Sequence, residues 1–389
     1  MEKKVWIAFV AIAIMACKNT SVPKENSSSG QKKISDGETA WIQSKIEHTL
    51  RSNNIPSLAI GIVSNDELAW AKGFGHLTRE SPVKMNANTL FQVASDTKKI
   101  TAIIVNNLVA EGKLELDEPI ITYLKDVVSE NNANKLSGIT LRLLLLHKSG
   151  IPYRAPGQKG IDGEPMLMEY TEQDIINDLN PIQLETVPGI RFNYSNFGYA
   201  VVGYICEKVS GQDYATLVKK YVTDKYGMPN TSVVLDGEQQ KLIAWPYRKD
   251  NRNKKSVPWN MGKLTPAAGV YSNIKDISNL LIAQMRAYRE FNKSVEENNP
   301  LILTEKSETA GAHYGFGLVK FVDTLGVCYG HGGNLDGYAS DYVFMPKEGL
   351  GIIMLTSSGG EWFNALGKEI RAYLIMNGRL QNAAERSPS

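Results

Sequence analysis

Apolar residues change their spacing several times along this chain, and each change marks an element. A helical period predicts a first helix near 37–53. Two apolar runs follow, Ser57–Val63 and Leu68–Phe74, and predict a hairpin. Ile100, Ile103, Ile104 and Leu108 then recur at the i, i+3, i+4, i+8 spacing of one helical face. Ala102, Val105 and Val109 make the neighbouring faces apolar too, so this helix is enclosed on most sides, and Gly112 is its natural stop. Another helical stretch carries Tyr199, Val202, Gly203, Ile205 and Cys206 and closes at Ser210-Gly211, and a further one is expected at 274–287. Strands return near 315–357, at Leu325–Tyr329, Tyr338–Met345 and Gly351–Thr356, before a helix near 361–377. Residues 150–187 are rich in Pro, Gly and Glu with little periodicity, and are expected to be loops rimming a cleft. Strands at both ends with helices between predict an α+β fold: one antiparallel sheet assembled from both chain ends and flanked by helices, with a mainly helical subdomain inserted.

Three short stretches carry candidate chemistry: Ser95-Asp96-Thr97-Lys98, Tyr194-Ser195-Asn196 and His331-Gly332-Gly333. The pattern Ser-x-x-Lys occurs five times, starting at Ser21, Ser29, Ser81, Ser95 and Ser272, so the motif alone is weak. Only Ser95 stands at the mouth of a strongly apolar helix, where unpaired backbone N–H groups and the positive end of the helix dipole lie. Lys98, three residues on, shares its face. A serine hydroxyl is a poor nucleophile until a base takes its proton. Lys98 can serve only if burial or a nearby cation lowers its ordinary pKa of about 10.4. Tyr194 is the other candidate, and the two form one coupled unit whose proton the sequence does not place. Tyr194 and Asn196 lie two apart in a loop entering a helix and point the same way if the backbone is extended; Asn196 can then hydrogen-bond a substrate carbonyl. His331 would add a polar or partly cationic group to the pocket wall, Gly333 allows close approach, and the N–H of Asn334 can pair with that of Ser95 as an oxyanion hole.

Composition narrows the field. With 389 residues, 42% of them hydrophobic and 22% charged, the chain can bury a substantial core. A net charge of +2 without a basic stripe argues against nucleic acid as a partner. No His-Glu-x-x-His or Cys-x-x-Cys points to a metal, no cofactor is implied, and there is no Gly-x-Ser-x-Gly. Lys3 and Lys4 followed by the apolar run Val5–Ala16 read as a secretion signal, too short to span a bilayer. Cys206 and Cys328 fall in apolar stretches and are read as buried free thiols.

Taken together, these motifs resemble the serine β-lactamase and penicillin-binding-protein superfamily, nearest its class C β-lactamase-like branch of carboxypeptidases, D-aminopeptidases and esterases. The resemblance runs from about residue 37 to about residue 378. It includes Thr89-Leu90-Phe91, Leu144-Leu145-Leu146-His147-Lys148-Ser149-Gly150, Pro188-Gly189, Ala267-Ala268-Gly269-Val270-Tyr271-Ser272 and Gly330-His331-Gly332-Gly333. It implies Ser95 as the acylated nucleophile, Lys98 and Tyr194 as the acid/base pair, and the backbone N–H groups of Ser95 and Asn334 as the oxyanion hole. His147 matches a recurrent structural position. Where dedicated β-lactamases carry Lys-Thr-Gly, this chain has a histidine, which weakens the expected grip on a penicillin carboxylate. The expected activity is cleavage of a small amide or ester of the D-amino-acid peptide type. A true β-lactamase and a penicillin-binding sensor that stays acylated are the alternatives. Ile14-Met15-Ala16-Cys17 resembles a bacterial lipoprotein cleavage site, with Cys17 as the lipidated residue; the alternative is an ordinary signal peptide. The implied organisation is a signal peptide at 1–17, a flexible linker at 18–36, a hydrolase domain at 37–380 and a disordered tail at 381–389, lipid-anchored in the bacterial envelope on the periplasmic side. The oligomeric state is not legible.

Overall fold

The computed structural model describes residues 34–158, 169–289, 307–309 and 312–385. The expected signal peptide, Cys17 and nearly all of the linker lie outside the described residues. Helix α1 (Asp36–Ser52) opens on a capping box, in which Ser35 and Glu38 satisfy each other's backbone N–H groups, and it buries Ile42, Ile46 and Leu50. The hairpin β1 (Ser57–Ser64) and β2 (Glu67–Gly75) follows. A short strand β3 (Phe91–Gln92) leads to α2 (Thr97–Ala110). The helical middle contains α3 (Leu141–Leu145), α4 (Glu172–Leu179), α5 (Asn196–Ser210) and α6 (Thr265–Ala268). Strand β4 (Tyr271–Ser272) returns to pair antiparallel with β3, ahead of α7 (Ile274–Arg289). The remaining elements are β5 (Ser307–Thr309), β6 (Ala312–Tyr314), β7 (Val319–Asp323), β8 (Gly326–Leu335), β9 (Tyr338–Met345), β10 (Leu350–Thr356) and α8 (Glu361–Glu385).

Eight of these strands make one antiparallel sheet in the order β2-β1-β10-β9-β8-β7-β6-β5. The two chain ends meet where β1 pairs β10, with Leu58 opposite Thr356 and Ile62 opposite Ile352. One face of the sheet is covered by α1 and α8 through Ile46, Ile62, Phe363 and Ile370, with Trp41 stacked on Tyr373 at 3.8 Å. The other face meets the larger core around α2, α5 and α7. The α+β plan, with its sheet drawn from both termini and its helical insertion, is the one the pattern predicts.

Three local expectations change. The stretch 150–187 is not all loop. Thr171 and Asp174 form a capping box for α4, which buries Ile175 and Leu179, while 159–168 lies outside the described residues. Helix α8 runs through Glu385, into the segment expected as a tail. The His-Gly-Gly stretch does not end a strand: β8 continues through it to Leu335.

Candidate active site

Ser95 stands on a tight turn, Ala94–Asp96, that runs directly into α2. Ala94 has a φ of +50°, backbone that a residue with a Cβ keeps only when its surroundings hold it there. Those surroundings are specific. The Val93 N–H donates to Val270 O at 2.9 Å, and Ser340 Oγ on β9 donates to Val93 O at 2.8 Å. Strand β8 presses Gly333 against the same turn, where a Cβ would stand 2.5 Å from Val93 O and 2.7 Å from the Ala94 side chain. Glycine at 333 is therefore required by close approach.

Lys98 lies one turn deeper and is fully buried. Its Nζ reaches three oxygens: Asn196 Oδ1 at 2.6 Å, Ala267 O at 2.8 Å and Ser95 Oγ at 3.2 Å. Burial pushes the amine well below the ordinary lysine range, against the pull of Asp96. A neutral amine has two N–H donors and one lone pair. Asn196 Oδ1 and Ala267 O are pure acceptors and take the two donors. The lone pair then falls to Ser95 Oγ, the only one of the three oxygens that carries a proton. In its neutral form Lys98 would present that lone pair to the Ser95 hydroxyl. The approach of α5 to α6 that makes this possible runs through Gly203, where a Cβ would lie 2.1 Å from the Pro266 ring.

Tyr194 donates from its phenol to Ser95 Oγ at 3.1 Å. Burial raises its pKa above the ordinary phenol range, although the Ser95 hydrogen bond pulls the other way, so the group stays protonated. Its loop is held by His147. The Ser195 N–H donates to His147 Nδ1 at 3.0 Å, the Asn193 N–H donates to His147 O at 2.6 Å, and the imidazole lies 4.1 Å from the Tyr194 ring. His147 has left-handed backbone (φ +56°), and its Nε2 is buried without a hydrogen-bond partner. Burial, reinforced by Lys98 and His331, keeps its pKa well below the ordinary histidine range. Ser195 caps α5, accepting from the Gly198 N–H at 2.8 Å, which fixes Asn196 as the first helical residue.

The structure therefore brings Ser95, Lys98, Tyr194 and Asn196 to one point. A cleft of about 280 Å³ opens on Ser95 and Asn196 and is lined by Asn334, Leu335, Trp259 and Ala268. Asn196 spends its carbonyl on Lys98, so only its amide N–H₂ remains for a substrate carbonyl. His331 sits behind this wall rather than on it. It is 8% exposed, its Nδ1 lies 2.6 Å from Gly332 O, and its Nε2 lies 3.1 Å from the Tyr314 hydroxyl. Burial, reinforced by Lys98 and Lys99, pushes its pKa down to about 3. The partly cationic wall expected from His331 is replaced by a neutral ring that fixes Tyr314. Strand β8 pairs with β7 only from Gly326 to Gly330, yet with β9 from Tyr329 to Leu335. Among the described residues, His331–Leu335 consequently has a ladder on one side and an open edge on the other, and Asn334 and Leu335 carry that edge into the cleft.

Sequence reasoning passed over two buried groups. Lys99 lies 2.5 Å from Asp96 with both side chains nearly inaccessible, and its Nζ stands 3.6 Å from the centre of the Tyr342 ring. The signal was available: a cation on an enclosed helix needs a partner, and Asp96 is three residues earlier. Gln92 is the other. Its amide exchanges two 2.8 Å bonds with the backbone of Trp259 and so fixes one wall of the cleft. A larger hollow of about 780 Å³ is lined by Tyr214, Trp245, Gly262 and Thr265, shares Trp259 and Met261 with the cleft, and contains none of the Ser95 group.

A serine on a strained turn, a buried lysine and a tyrosine between a helical layer and an antiparallel sheet define the β-lactamase and penicillin-binding class of folds. The chain belongs to the beta-lactamase family, whose model matches residues 42–374. It is 25% identical over 349 residues to Protein flp of Staphylococcus aureus (strain MRSA252), covering 88% of this chain and 68% of that protein. It is 28% identical over 265 residues to the putative penicillin-binding protein PbpX of Bacillus subtilis (strain 168), covering 67% and 63%. Two solved structures share the fold. The octameric penicillin-binding protein homologue from Pyrococcus abyssi superposes with TM-score 0.71 at 24% identity, over 87% of this chain and 77% of that one. A class C β-lactamase with a tyrosine-to-phenylalanine substitution superposes with TM-score 0.74 at 17% identity, over 88% and 100%. Serine hydrolase activity is consistent with this membership.

Proposed function

We propose that this protein is a serine hydrolase that forms an acyl-enzyme on Ser95 and cleaves a small amide or ester of the D-amino-acid peptide type. The observation that carries the reading is the convergence on Ser95 Oγ of the buried Lys98 amine at 3.2 Å and the Tyr194 hydroxyl at 3.1 Å. Neutral Lys98 takes the Ser95 proton as Oγ attacks the substrate carbonyl. The N–H groups of Ser95 and Asn334 receive the developing oxyanion. The Tyr194 phenol passes a proton to the leaving nitrogen or oxygen and is reprotonated from Lys98. Water then enters along the reverse path and releases the acid. The protein works at the cell envelope, held there by a lipid on Cys17.

Exposure to a fluorophosphonate followed by intact-mass measurement tests the chemistry. One adduct is expected on the wild type and none on Ser95→Ala, whose thermal unfolding should match the wild type. An adduct that persists on the Ser95→Ala protein would refute the assignment. With penicillin in place of the fluorophosphonate, a transient adduct marks an enzyme and a permanent one a sensor. Turnover of nitrocefin faster than of D-amino-acid amides and small esters would make the protein a β-lactamase instead.

A further inference from the structure

The larger hollow has a chemistry of its own. Four aromatic side chains contribute to it: Tyr214, Trp245, Trp259 and Tyr271. Three of them spend their polar ends inside the protein. Trp245 Nε1 donates to Ser256 O at 2.8 Å, Trp259 Nε1 donates to Asp336 O at 3.2 Å, and the Tyr214 hydroxyl lies 2.6 Å from Thr101 Oγ1. What these rings can offer a guest is carbon and an electron-rich face. Val234, 75% exposed, adds apolar surface. The charges are unequal. Three carboxylates line the hollow, those of Glu169, Glu207 and Asp213, against the single cation of Lys263. Lys263 is already matched: its Nζ lies 2.7 Å from Glu207 Oε2, while Glu207 Oε1 accepts the Tyr214 N–H at 2.9 Å. Asp213 Oδ1 accepts the Thr216 N–H at 2.7 Å, a bond that leaves its charge in place. Glu169 is exposed, and among the described residues no hydrogen bond or ion pair engages its carboxylate.

An aromatic hollow with two carboxylates beyond the one its own lysine balances is complementary to a cation on a carbon body. We propose that it is a second binding site, separate from Ser95, for an organic ammonium whose apolar or aromatic body packs against Trp245 and Trp259 while its charge faces Glu169 and Asp213. A hydrated inorganic cation would gain nothing from the carbon walls. A neutral guest of the same shape would leave the carboxylates unused, and an anion would meet like charge. The volume of about 780 Å³ is that of an ordinary small-molecule site. Trp259 and Met261 also wall the serine cleft, whereas Trp245, Glu169 and Asp213 do not, so the two sites adjoin and can be told apart by substitution.

Calorimetric titration of the whole protein with three aromatic probes tests this: benzyltrimethylammonium, benzyl alcohol and phenylacetate. The ammonium should bind about tenfold more tightly than the alcohol, and phenylacetate more weakly than either, with the ammonium's advantage shrinking as salt is added. Glu169→Gln and Asp213→Asn keep the shape of the wall, and asparagine still caps the helix that follows. Each should cut the ammonium's advantage by about two- to threefold, and the double variant should nearly remove it while binding of the alcohol holds. Trp245→Leu should weaken the ammonium more than the alcohol. Protein already labelled at Ser95 by the fluorophosphonate should bind the ammonium as tightly as the free protein. Equal binding of ammonium and alcohol by the wild type, no binding of the ammonium, an advantage unmoved in the double variant, or binding lost on Ser95 labelling would overturn the inference.

Discussion

The two faces of the central sheet are packed on different principles. On the α1 and α8 side the contacts are mostly aliphatic: Ile42, Ile46, Leu58, Ile62, Leu366 and Ile370 are all buried there. On the α2 side the layer around Ser95 buries Lys98, Lys99 and Asp96, keeps Ala94 and His147 in left-handed backbone, and leaves His147 Nε2 without a hydrogen bond. Burying a methylene is worth about 0.8 kcal/mol, whereas burying an ion pair often gains nothing over an apolar pair of the same shape. Both faces contribute apolar burial, the larger core lying on the α2 side, and that side carries in addition the buried ionic and strained groups around the serine.

That contrast can be broken from either side. The largest stability effect should come from splitting the buried pair. Asp96→Asn leaves Lys99 as an unpaired cation and should cost about 3–5 kcal/mol in denaturant unfolding. Adding Lys99→Met should recover most of that loss, and a single-variant cost below about 1 kcal/mol would show that the pair is not truly buried. On the opposite face, Ile46→Ala should lose about 2–4 kcal/mol while the rate of Ser95 acylation stays at the wild-type value, because the cavity lies across the sheet from the serine. A slowed acylation would mean the faces are coupled.

The smallest effect sharpens the comparison and carries a sign. The folded-state pKa of Lys98 lies below its unfolded value of about 10.4, so between the two values the unfolded chain binds a proton that the folded chain does not. Stability must therefore rise with pH across that window and fall as pH drops toward the folded value. Lys98→Met should remove this slope, raise stability near neutral pH by about 1 kcal/mol, and abolish acylation. A variant less stable than wild type would count against a neutral lysine. In the wild type, Ser95 labelling should fall as the pH drops through the folded-state pKa of Lys98.

Much of the framework was legible because it follows from period alone. The enclosed helix behind Ser95, the hairpin, the β9 and β10 runs and the helix after Tyr194 all announce themselves through apolar spacing. What escaped depends on tertiary context or on short range. Strands β5 and β6 are three residues each, too short for a period. Helix α4 was masked by polar composition, although Thr171 and Asp174 spell its cap. The left-handed backbone at Ala94 and His147 is imposed by neighbours from β8, β9 and the tyrosine loop, and nothing local predicts it. The meeting of Ser95 with Tyr194, 99 residues apart, was expected from residue chemistry, which makes Tyr194 a candidate base beside Lys98, and the family resemblance implies the same pair; no apolar period announces it. Where local reasoning ran furthest astray, at His331, the missing fact was burial: the ring faces Tyr314 and never reaches the cleft.

The margin of β8 that has no strand partner among the described residues has a consequence for selectivity. A guest that docks there by peptide-to-peptide bonding is gripped through atoms every polypeptide shares, so the identity of its side chains is scarcely interrogated. Discrimination must then come from the side chains that wall the cleft, among them Trp259, Leu335 and Ala268, and not from the backbone of the strand itself.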